Sequence, residues 1–181
     1  MTRTEVNEKA LKETSKNAEK AVNAGIAPEY SLVPDEEKIA WAMALVIHCD
    51  MCRFIVAFDE CEREGIARLL WMADIVSKLY EAKRWYFEKG GLLLLTIAQR
   101  RDYGPGYVRQ RLKEIKSKYL INRIEHFAGY RNKLGFHYDR NALDQLIAFG
   151  KEDADLFYEL LKAFAQFSKE WAQLTSSLIE K

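Results

Sequence analysis

The sequence has few of the residues that interrupt regular structure. Its 181 residues include three prolines and nine glycines, so few turns are signalled and long unbroken elements are expected. No stretch alternates apolar and polar residues over more than four positions, which removes the usual sign of half-buried strands. Cysteine is scarce: Cys49, Cys52 and Cys61 all fall in one helical run. An odd number of cysteines and a polar N-terminus without an apolar leader fit free thiols in a reducing cytoplasm, not a disulfide framework. Long apolar runs are also missing. Ile39–Ile47 and Leu92–Leu95 fall short of the roughly 20 residues that cross a bilayer, so no membrane partner is expected. The net charge of +1 points to no partner by itself.

What is present is helical periodicity. Residues 4–24 are rich in Glu, Lys and Ala, with a thin apolar stripe of Val6, Ala10, Ala18, Ala21 and Val22. This predicts a helix that packs loosely or against a partner, ended by Gly25 and Pro28. Pro34-Asp35-Glu36-Glu37 suits the first turn of a second helix running to Gly65, and its apolar middle, Ile39–Phe58, predicts a central position. A third helix is expected over 66–88, broken by Gly90-Gly91, then a short apolar helix over Leu92–Arg101. Gly104-Pro105-Gly106 lacks the third glycine and the preceding strand of a phosphate-binding loop, and reads as a turn. A long helix is expected from Tyr107 to about Gly135, then a small one over Ala142–Phe149. In Glu152–Ile179, the residues Phe157, Leu160, Phe164, Phe167, Trp171, Leu174 and Leu178 alternate in steps of three and four, a heptad seam. The fold class expected is all-α, an antiparallel bundle of four or five long helices with short accessory helices. It is a single domain overall, with residues 1–30 as an N-terminal helix or arm and 31–181 as the bundle.

Charge is unevenly placed. Arg100–Arg140 holds eleven Lys/Arg and four Asp/Glu, or +7; the remaining 17 and 23 give −6. Such asymmetry is compatible with an anionic partner or with a solvated helix face. His48, Cys49 and Cys52 share a helix face and carry metal-ligand atoms, but their surroundings are apolar and no second Cys or His pair is near, so buried core side chains are expected. Asp50 and Arg53 form an i,i+3 ion pair on the same helix, and Asp59 lies further along it.

The candidate site is Tyr130–Asp139. The apolar positions Leu120, Ile124 and Phe127 continue as Arg131, Leu134 and Tyr138, so an arginine takes a place the pattern reserves for an apolar side chain. A cation there must be paired or solvated in a pocket. His137 follows six residues later. Arginine offers an always-charged planar fork for phosphate, and histidine transfers protons near neutrality. Alternatively, Arg131 pairs with Asp139 or an acid on another helix, and His137 caps a helix C-terminus.

Arg131-Asn132-Lys133-Leu134-Gly135-Phe136-His137, an Arg-Asn-x4-His motif near the end of a bundle helix, resembles the signature of the HEPN superfamily. The resemblance is specific over about ten residues and architectural over the rest. It implies a metal-independent ribonuclease, or an RNA-binding relative, in defence or toxin–antitoxin systems. Arg131, Asn132 and His137 would then be catalytic, with no metal or cofactor. Arg123, Lys133, Tyr138 and Arg140 would bind the RNA backbone. It also implies a homodimer whose two motifs share one cleft, and an antitoxin protein as a possible partner. An ideal helix sets His137 about 120° from Arg131, which agrees with a site shared between two copies. Some members carry a tyrosine two residues after the histidine as a modification site; here Asp139 stands there. The alternative is a non-catalytic helical interaction module.

Overall fold

The computed structural model describes residues 2–60, 65–131 and 151–179. Among them the chain is all-α, without strands. The order is α1 (Arg3–Asn23), α2 (Asp35–Glu60), α3 (Ile66–Trp85), α4 (Gly91–Arg100), α5 (Pro105–Lys118), a single turn α6 (Ala128–Tyr130) and α7 (Lys151–Ile179). The expected helix over Ala142–Phe149 lies outside the described residues.

Thr2 starts α1 with a capping box. The Glu5 N–H donates to Thr2 Oγ1 (3.3 Å) and the Thr2 N–H donates to Glu5 Oε2 (2.7 Å), which satisfies two donors that a helix start leaves open. From the thin stripe Ala18 and Ala21 are buried, while Val6 and Val22 are exposed. Small side chains let α1 lie close along α2, so its packing inside the chain is more extensive than the stripe suggested. Asn7 pairs with Asp59 and Lys20 with Trp41, which makes the two helices antiparallel.

By length and composition α2 is apolar enough to cross a membrane. Its buried residues Trp41, Ala44, Met51, Phe54 and Phe58 belong to the shared core, and α2 packs against both α1 and α7. This is the central position its composition predicts. Against α7 the matches run in opposite order: Trp41 Nε1 donates to Ser176 Oγ (3.1 Å), His48 meets Ser168 (2.9 Å), and Phe58 lies edge-on to Phe157 (5.1 Å). All seven residues of the α7 seam named above are buried.

The expected break at Gly90-Gly91 does not occur. Both glycines are helical (φ −58° and −64°), and α3 passes into α4 through a π-helical segment, Tyr86–Gly90. The glycines answer a packing demand. A Cβ on Gly90 would lie 2.7 Å from the Trp85 ring, and Trp85 is itself packed edge-on against Tyr86 and Trp171.

The long helix expected over Tyr107–Gly135 is also corrected. α5 ends at Lys118, Tyr119 is extended (φ −111°, ψ 119°), and Ile121–Phe127 is a 3₁₀ helix. The cause is tertiary. The Tyr119 hydroxyl donates to Glu170 on α7 (2.6 Å), and Lys118 pairs with the same carboxylate, so the chain turns there without a glycine or proline. Ile121, Ile124, Phe127 and Tyr130 are buried at intervals of three, the spacing that aligns side chains on a 3₁₀ helix. Leu120, which the helical reading placed in the seam, is 55% exposed.

One polar clamp closes the bundle end. Glu37, in the first turn of α2, is 1% exposed. Arg101 donates to its carboxylate from Nε (2.8 Å) and to the Ile179 carbonyl from Nη1 (2.9 Å). Arg101 thus ties α2 to the chain following α4 and to the last turn of α7.

Four variants test this fold in urea melts. Gly91→Ala, whose Cβ meets nothing closer than 3.6 Å, is expected to stabilise by about 0.5–1 kcal/mol through helix propensity; Gly90→Ala is expected to lose about 1–3 kcal/mol through overpacking. Arg101→Gln, which leaves the Glu37 charge buried, is expected to cost about 3 kcal/mol. The Glu37→Gln/Arg101→Gln double variant should lose less than the two single losses added together.

Candidate nucleic-acid interface

The 3₁₀ segment and α6 carry Arg131 to the side of α3. Ile124, Phe127 and Tyr130 are buried, and Phe127 packs edge-on to Phe157 of α7 (5.3 Å). With those anchors set, the next side chain comes out half-buried beside Tyr80. The Arg131 guanidinium stands 4.6 Å from the Tyr80 ring centroid. The Tyr80 hydroxyl donates to Glu125 Oε2 (2.8 Å), and Lys83 donates to Glu125 Oε1 (2.8 Å).

The electrostatics follow from this geometry. Hydrogen bonds from Lys83 and then Tyr80 hold the Glu125 carboxyl below its usual range, and the nearby Arg131 charge acts in the same direction. Burial, with the bond to Glu125, pushes the Tyr80 hydroxyl up to about 12. Arg131 therefore occupies no apolar seam. It lies against an aromatic face next to a carboxylate, two known ways to keep a cation at a protein surface.

Of the other residues expected at the site, Arg123 is exposed on the 3₁₀ segment. Asn132, Lys133, His137, Tyr138 and Arg140 lie outside the described residues, as does Asp139. Sequence reading missed Tyr80, Lys83 and Glu125. Tyr80 and Lys83 are one turn apart on α3 and Glu125 is more than 40 residues away in sequence, so no local pattern joins them.

A second concavity, of about 650 Å³, lies between α1 and α7 over α2. Its floor includes Leu45, His48, Cys52 and Ile55, and its walls include Thr14 and Lys169. Ser168 Oγ donates to the Ala165 carbonyl (2.9 Å), so its lone pair faces His48 Nδ1 (2.9 Å) and assigns the proton to that nitrogen. Burial, with the Lys169 charge added, lowers the His48 pKa from 6.5 to about 4. Burial raises the Cys52 thiol. Cys49 and Cys52 are free, and no group of three His, Cys, Asp or Glu among the described residues is arranged to hold a metal. Asp50 and Arg53 form the expected ion pair (2.7 Å), while Asp59 accepts from Asn7 Nδ2 (2.8 Å).

No family model, no curated protein and no solved structure matches this chain.

His48 makes stability depend on pH. Because its folded pKa lies below its ordinary one, the unfolded chain binds the extra proton first as pH falls. Stability is expected to be full above about pH 6.5 and to drop by about 3 kcal/mol by pH 4. His48→Gln, which retains a donor for Ser168, should flatten that part of a urea-midpoint-against-pH curve.

Proposed function

We propose that this chain is an RNA-directed helical bundle of the HEPN type, acting in the cytoplasm as a homodimeric, metal-independent endoribonuclease in a defence or toxin–antitoxin setting. The observation that carries this reading is Arg131. Its guanidinium is braced on Tyr80 at the end of a helical segment, directly before Asn132 and six residues before His137. A cation held in a fixed plane suits the non-bridging oxygens of a phosphate, where charge builds during cleavage.

The chemistry needs no other group. The His137 imidazole accepts the proton of the ribose 2′-OH, and the 2′-oxygen attacks the adjacent phosphorus. The bond to the 5′-oxygen breaks, and that oxygen takes a proton from the imidazolium of the second motif in the dimer. The products are a 2′,3′-cyclic phosphate and a 5′-hydroxyl. Arg131 binds the phosphorane oxygens, and Asn132 orients the phosphate or the imidazole. Arg123, Lys133, Tyr138 and Arg140 contact the RNA backbone.

A second reading has its own support. The Arg131 charge acts on Glu125, which also holds Tyr80 and Lys83, and such a group can fix packing without catalysis. The chain is then a non-catalytic interaction module.

The two readings differ in one assay. On the first, the purified protein cuts single-stranded RNA in EDTA, leaving cyclic phosphate ends. His137→Ala lowers the rate by about 10²–10⁴, and Arg131→Ala by about 10²–10³. Full activity in His137→Ala, or none in the wild type, rules the nuclease out.

A further inference from the structure

The positive charge of the middle of the chain separates into two groups. Arg100 pairs with Glu36, Arg101 with Glu37, Arg111 with Glu114 and Lys118 with Glu170. Three of these pairs connect separate elements, and Arg111 meets Glu114 within α5. Arg109, Lys113 and Lys116 make no ion pair among the described residues. They recur at i, i+4 and i+7 on α5 and so share one face, spaced about 6 and 4.5 Å along the axis. Like charges at these spacings destabilise a helix, and among the described residues no acid pairs with them. Glu114 is turned about 100° from Lys113 around α5 and is engaged by Arg111 and Gln110. α4, packed alongside, contains no acidic residue. Glu88 lines a different concavity, between α2 and α3.

The three cations border a shallow groove of about 500 Å³ between α4 and α5, whose apolar surface is Leu95 and Leu112. Lys116 is held over the Phe87 ring (4.5 Å). Its pKa lies below the ordinary lysine range through burial alone, in keeping with the lack of a facing carboxylate. Ser117 adds a hydroxyl at the groove edge.

We propose that this α4–α5 groove is a second RNA-contacting surface, in which Arg109, Lys113 and Lys116 bind the phosphates of a single strand. The charges stand in single file along a concave line, which matches a chain of successive anions. A lipid surface would call for a broad apolar face, whereas the apolar surface of this groove is only Leu95 and Leu112. The inference rests on the reading that the protein acts on RNA, but it uses none of the residues of the Arg131–His137 motif.

The test uses the full chain and a labelled 2′-O-methyl oligoribonucleotide, which has no nucleophile to be cleaved and so reports binding alone. Each lost phosphate contact lowers the salt slope of binding to a single strand by about 0.7. The Arg109→Gln/Lys113→Gln/Lys116→Gln variant is expected to reduce the slope by about 2 and to bind at least tenfold more weakly in moderate salt. Lys9→Gln/Lys12→Gln on α1 should change neither. Should the triple variant fail to fold, Arg109→Gln/Lys113→Gln, which alters two exposed side chains, is expected to lower the slope by about 1.4. Wild-type affinity and slope in these variants overturn the groove and leave the nuclease reading standing, since cleavage in EDTA is scored separately. Equal losses in the α1 control overturn it in favour of general charge attraction. Binding by the wild type to phosphatidylserine vesicles but not to the oligonucleotide overturns it in favour of a lipid surface.

Discussion

Two polar contacts set the register of α2 against α7. An apolar seam alone tolerates sliding, because one leucine or phenylalanine can replace another in the next hole. The Trp41–Ser176 bond and the His48–Ser168 bond lie about 10 Å apart along α2, and sliding would break both, the second in a buried setting where unmade bonds are costly. The remaining helices depend on that pair. α1 lies along α2, and Trp85 and Tyr86 pack against Trp171 of α7. The Glu37–Arg101 clamp then fastens the end of the bundle to the last turn of α7. Tyr119 and Lys118 hold the far side through Glu170.

This arrangement explains where a site can form. The segment that delivers Arg131 is tied to α7 at Glu170 and again at Phe157, so its exit point beside Tyr80 is set by the same core that holds α2. The cations that surround the candidate sites are of two kinds. Those that meet Glu36, Glu37 and Glu170 join separate elements, while Arg111 meets Glu114 within α5. Those left on one face of α5 repel one another and make no ion pair among the described residues, although Lys116 also lies over the Phe87 ring. Sorting the charges by partner therefore says more than their sum.

The long periodic elements were legible in the sequence because burial repeats with the helix. The α7 seam and the central position of α2 follow directly from residue type. Two features were not legible. Gly90-Gly91 suggested a break, since a glycine pair has the same letters whether it ends a helix or admits a tryptophan ring. The Ile121–Phe127 segment was read as α-helix because Leu120, Ile124 and Phe127 fit steps of four and three as well as a 3₁₀ helix fits Ile121, Ile124 and Phe127. What decided between them is Glu170, some 50 residues away. At the candidate site the sequence signalled Arg131 as unusual, but its aromatic and acidic neighbours come from α3 and the 3₁₀ segment and carry no joint pattern.

The π-helical segment Tyr86–Gly90 also constrains how this chain can change. A π turn holds an additional residue within the helix, and α3 runs through it into α4 without a loop. α3 buries Leu69, Ala73, Val76 and Leu79, and α4 buries Leu94, Ile97 and Ala98, so the core continues across the junction. A side chain at position 90 would push Trp85 away from Tyr86 and Trp171, and with it the contact that joins this junction to α7. The junction therefore restricts side-chain size at position 90 more strictly than helix propensity does, and a residue other than glycine is expected there only together with a smaller side chain at 85.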